Sequence, residues 1–78
     1  MPTVIRKGPY RFFFYSADRT EPPHVHVQRE RAKAKFWLEP VAFERATGFS
    51  ARELLQLQQL IDEHRIVLLD AWHEYFVD

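Results

Sequence analysis

At 78 residues with no cysteine, the chain is a single domain near the lower size limit for a self-supporting core, and disulfides and thiolate metal sites are excluded. No run approaches the ~18 apolar residues of a membrane span, and the opening MPTVIRKG has no signal-peptide core, so a cytoplasmic, soluble protein is expected. The formal net charge is zero, but residues 1–37 carry +5 and residues 38–78 carry −5, a split that suits one face to polyanions and another to a basic partner.

The first half reads as strands. Thr3–Arg6 is a short β-rich opening, ended by Lys7-Gly8-Pro9. Tyr10–Tyr15 (YRFFFY) is the strongest strand signal, being aromatic with no helical spacing. Ser16–Pro23 is polar and ends in two prolines, so it reads as a loop. Proline cannot donate to a ladder, and pairing in the next strand should start near His24.

His24–Arg29 and Ala32–Glu39 then alternate with period 2. Val25 and Val27 share one face, and His24, His26 and Gln28 the other. Ala32, Ala34, Phe36 and Leu38 oppose Lys33, Lys35, Trp37 and Glu39. The short connection at Glu30-Arg31 predicts an antiparallel hairpin. Its register follows from the requirement that the valines face the side of Ala34 and Phe36, since a one-residue slip turns an apolar row outward. A loop of two or four residues meets this by pairing Gln28 with Lys33, His26 with Lys35 and His24 with Trp37.

The second half reads as helix. Ser50 and Glu53 form a capping-box pattern, with Phe49 and Leu54 at the staple positions. Leu54, Leu57, Ile61, Leu68, Trp72 and Tyr75 keep helical spacing, and Leu60, Val67, Ala71 and Phe76 widen the stripe. No Gly or Pro interrupts Ala51–Phe76. The pattern predicts one long helix of roughly 39 Å at ~1.5 Å per residue, with a bend or break near His64 as the alternative.

The expected fold is therefore α+β: residues 1–78 form a single domain, with a β-sheet half (1–45) and a helical half (49–77). An antiparallel sheet of three to four strands packs one face on the long C-terminal helix. One helix cannot cover both faces, so the back face is expected to expose Arg11, Phe13, Tyr15, His24, His26, Lys33, Lys35 and Trp37.

That face suits three chemistries. His-x-His on a strand projects two imidazoles to one side, as metal sites on β-scaffolds do. Two ligands do not make a site, and the adjacent Lys33 and Lys35 raise the cost of a cation. No metal is assigned. Basic groups interleaved with aromatics suit RNA, with phosphates neutralised and bases stacked. In a metal-independent ribonuclease reading, His24, His26, Arg11 and Lys35 are the catalytic candidates for proton transfer and charge stabilisation. Phe13, Tyr15, Lys33 and Trp37 are the RNA- or partner-binding candidates. The third chemistry is protein interaction, in which a partner or a second copy hides the aromatics. Trp72 reads as core, His64 as a hydrogen-bonded core-edge residue and His73 as surface. With glycine only at positions 8 and 48, neither GxGxxG nor a Walker loop can be built, and no cofactor is implied.

Pro9–Ser16 (PYRFFFYS), Glu21–Val27 (EPPHVHV), Ala34–Leu38 (AKFWL), Gly48–Leu55 (GFSARELL) and Trp72 span nearly the whole chain. Together they resemble the small bacterial family known as domain of unknown function 4160, with Pro9 standing where glycine is expected. The resemblance implies a compact β-sheet-plus-helix protein. It also implies a place in a toxin–antitoxin-like gene pair, beside another small domain. It brings no catalytic residue to this chain. Two function classes remain: a partner-binding component of such a pair with RNA-binding or ribonuclease activity, and a non-enzymatic interaction module, either neutralising or homodimeric.

Overall fold

Among the described residues, five strands form one antiparallel meander in the order β1-β2-β3-β4-β5. They are β1 (Thr3–Lys7), β2 (Tyr10–Phe13), β3 (His24–Arg29), β4 (Ala32–Leu38) and β5 (Val41–Thr47), followed by α1 (Ala51–Glu63) and α2 (Arg65–Tyr75). The computed structural model describes residues 3–77; positions 1, 2 and 78 of the expected span lie outside the described residues. Among the described residues, no helix is long and apolar enough to cross a membrane.

The central hairpin has the predicted register. His24 pairs with Trp37, His26 with Lys35 and Gln28 with Lys33. The two-residue turn places Glu30 at φ 55°, a positive value of the kind tight two-residue hairpin turns use. Val25, Val27, Phe36 and Leu38 are fully buried, together with Phe12 and Phe14, against Leu57, Ile61, Leu68 and Trp72 of the helices.

The sheet has five strands, not three or four. In β5, Val41 and Phe43 lie opposite Leu38 and Phe36, while Ala46 lies opposite Ala34. The register shifts between Lys35 and Phe36, so Glu44 is an extra residue between Phe43 and Arg45. A bulge of this kind resets the alternation, which hides the strand from a period-2 reading. The aromatic strand is also shorter than expected, since β2 ends at Phe13. Ser16–Thr20 is not loop but a short 3₁₀ helix.

The predicted single helix is two. At His64 the backbone opens to φ −105°, ψ 15°, and the His64 imidazole Nδ1 lies 2.9 Å from the Leu60 carbonyl. That carbonyl also accepts from the His64 backbone N–H at 3.2 Å. The helix restarts with Leu68 N–H on the His64 carbonyl at 2.9 Å. A straight helix of roughly 39 Å would overhang the sheet, whereas the break keeps both segments on it. The phase change has a cost in the stripe: Val67 and Tyr75, expected inward, are exposed.

At the N-terminus of α1, Ser50 Oγ accepts the Glu53 N–H at 3.1 Å. The Glu53 carboxylate goes elsewhere. It takes a bidentate bond from Arg29 at 2.8 and 2.9 Å and a hydrogen bond from the Tyr10 hydroxyl at 2.7 Å, which ties the helix to β2 and β3.

Candidate functional site

The back face is built by register. Residues directly opposite in an antiparallel pair share a face, so two rows cross the sheet. One runs Arg6, Arg11, Gln28, Lys33, Thr47; the next runs Phe13, His26, Lys35, Arg45. Five cations from four strands thus lie on the face opposite the helices. A groove of about 240 Å³ opens among Tyr15, His26, Lys33, Lys35, Arg45 and Thr47.

The expected open face is partly closed. The 3₁₀ helix and Glu21 fold back over the His-x-His end. Phe13 is buried rather than exposed; the Arg11 guanidinium lies over its ring at 4.3 Å and the His26 ring stacks at 5.5 Å. His24 is fully buried, between Trp37 (5.6 Å), Trp72 (5.1 Å) and His26 (5.1 Å). Lys35 is buried as well. It pairs with Glu21 and lies over the Trp37 ring at 4.6 Å. Its charge holds the Glu21 carboxyl below the ordinary carboxylate range, mainly through that hydrogen bond.

The structure therefore brings together His24, His26, Lys35, Tyr15 and Trp37. Lys33 stands exposed at the groove, and Arg11 is held one ladder step away by Thr3 (2.9 Å) and Gln28 (3.3 Å). Sequence reading missed Arg45 and Thr47, which came with the hidden β5, and above all Asp18. This carboxylate reaches both imidazoles. Its Oδ2 lies 3.0 Å from His26 Nε2, and its Oδ1 lies 3.1 Å from His24 Nε2. Oδ2 also accepts the Tyr15 backbone N–H at 2.8 Å, which fixes the carboxylate's orientation. No motif pattern marks Asp18; the 3₁₀ turn after Tyr15 places it.

The two imidazoles are not equivalent. His24 Nδ1 lies 2.9 Å from the Pro22 carbonyl; an acceptor there selects the Nδ1–H tautomer and leaves Nε2 as a lone pair. Nε2 faces Asp18 without hydrogen-bond geometry and is a buried atom with no hydrogen-bond partner. The His26 pKa is pushed below the ordinary histidine value, chiefly by burial, with the Asp18 charge opposing. His26 Nε2 therefore hydrogen-bonds the carboxylate that His24 Nε2 only faces.

Searches of curated proteins and of solved structures return no match. A family model does match, over residues 10–73, and its span takes in the aromatic strand, the histidine hairpin and the Trp72 helix. The chain belongs to the family described as domain of unknown function (DUF4160).

Proposed function

We propose that the protein is the small partner-binding component of a toxin–antitoxin-like pair, and that its back sheet face binds single-stranded RNA. The observation that supports this is the cation row: Lys33 and Arg45 border a groove walled by Tyr15, and Arg6 and Arg11 continue the same face. Cations spaced along a sheet neutralise successive phosphates, and a ring at the groove edge offers a stacking surface. The proposal is one of binding. His24 has no surface to offer a substrate, and His26 turns Nε2 to Asp18.

Fluorescence anisotropy of a labelled RNA oligonucleotide tests it. Binding should weaken as salt rises, and a Lys33→Glu/Arg45→Glu variant should bind at least tenfold more weakly. The double variant should also show a log–log salt slope smaller by about 1.4, at about 0.7 per lost phosphate contact. Equal affinity in a variant with unchanged circular dichroism would sink the reading. The alternative, a non-enzymatic interaction module, is favoured by Leu55, Ile66 and Val67, which the helices leave exposed. Co-expression with the product of the adjacent reading frame separates the two. A complex lost on Ile66→Glu/Val67→Glu, together with no RNA binding, supports the module.

A further inference from the structure

We propose that Asp18, His24 and His26 form a binding site for one divalent first-row transition-metal ion. Each offers one ligand atom, and these atoms lie within 4.8 Å of one another. Two imidazole nitrogens and a carboxylate oxygen are a donor set that zinc, iron and cobalt accept, with further positions left for water or substrate.

Two features distinguish the cluster from an ordinary hydrogen-bonded core. The first is His24 Nε2. It is fully buried, has no hydrogen-bond partner among the described residues, and lies 3.1 Å from Asp18 Oδ1. A lone pair next to a carboxylate is repulsive unless a cation or proton lies between, and a buried polar atom without a partner is destabilising. The Asp18 oxygens lie 3.0 and 3.1 Å from the imidazole nitrogens and the three donor atoms within 4.8 Å of one another, so small side-chain shifts gather them around one ion that binds each at about 2.1 Å.

The second is the support behind the ligands. The Pro22 carbonyl holds His24 in the tautomer that presents Nε2, and the Tyr15 N–H holds Asp18. Backbone partners of this type orient metal ligands. His26 needs only to move its N–H from Nε2 to Nδ1, an exchange between neutral tautomers that releases no net proton.

The lysines that argue against a cation in the sequence are answered by the fold. Lys33 points along an exposed row, and Lys35 is neutralised by Glu21. With neutral imidazoles, Asp18, Glu21 and Lys35 leave the immediate surroundings with one net negative charge. The inference stands independently of RNA binding, because its test contains no nucleic acid.

The experiment uses tag-free full-length protein stripped with EDTA, then titrated with Co(II) and Zn(II). Co(II) should saturate at one equivalent with visible ligand-field absorption, and Zn(II) should displace it. Both ions should raise the melting temperature in proportion to the logarithm of their concentration. Asp18→Ala and His26→Ala should each weaken Co(II) binding at least tenfold, while the exposed helix variant Arg52→Ala leaves it unchanged. His24→Ala is expected to perturb the core, so Asp18 and His26 carry the test. Absence of saturable binding, or binding unaltered in folded Asp18→Ala and His26→Ala proteins, overturns the proposal.

Discussion

Glu53 shows how one side chain can be legible in type and misread in role. The Ser-x-x-Glu spacing marks a helix start, and Ser50 does cap it. The carboxylate instead closes a cluster with Arg29 and Tyr10, partners 24 and 43 residues away that local spacing cannot reveal. The Arg29 bond, then the Tyr10 bond, hold the Glu53 carboxyl below its ordinary value. A carboxyl whose folded pKa lies below its unfolded one adds stability that is complete above the unfolded value of about 4.3 and fades as pH falls through the folded one. Glu53→Gln should therefore lower stability at neutral pH and flatten its decline below about pH 5. Urea unfolding of both proteins across that range measures this, and parallel pH profiles would contradict it. Asp18 is the harder case. Nothing in its neighbours marks it, because its role depends on a turn that brings it back over β3.

At the level of elements, turns decided what periodicity could not. The β3–β4 hairpin was readable because both strands alternate without interruption and a two-residue loop leaves one register that buries the valines. β5 was not, because the Glu44 bulge shifts its phase halfway along. Gly48, which joins β5 to the helix, has φ +84°, and an added Cβ would lie 3.0 Å from Ala32 Cα. Gly8 has φ +55° in open space. Alanine at Gly8 should cost about 1 kcal/mol for the left-handed backbone alone. At Gly48 the loss should reach about 3 kcal/mol, since the β4 backbone must also give way. Equal shifts in urea midpoint for the two variants would show that the Ala32 contact is immaterial.

Over the whole molecule, α2 is the element that joins the core to the site. Trp72 is 5% exposed. Its ring meets Phe14 at 5.2 Å, Phe76 at 4.3 Å and His24 at 5.1 Å. A domain of this length has about 4–12 kcal/mol of stability in total, and a buried Trp→Ala substitution removes about 3–5 kcal/mol. Trp72→Ala should therefore lower the urea midpoint by about a quarter or more. A midpoint within a tenth of wild type would mean that α2 is not integral to the fold. The opposite charges of the two halves acquire a geometric form at this scale. Arg6, Arg11, Lys33, Lys35 and Arg45 lie on the sheet face away from the helices, and the helices carry Asp62, Glu63, Asp70 and Glu74.

The sequence by itself determined the α+β class and the opposite sheet faces of the valines and the histidines, because these follow from alternation and burial along single segments. The register of the central hairpin followed for the same reason. Only the tertiary structure decided that His24 is sealed beneath Trp37 and Trp72, that Lys35 is neutralised by Glu21, and that Asp18 stands between the two imidazoles. Those arrangements depend on where a short 3₁₀ turn and a broken helix come to rest against the sheet. Such packing is set by contacts distant in the chain, to which local pattern is blind.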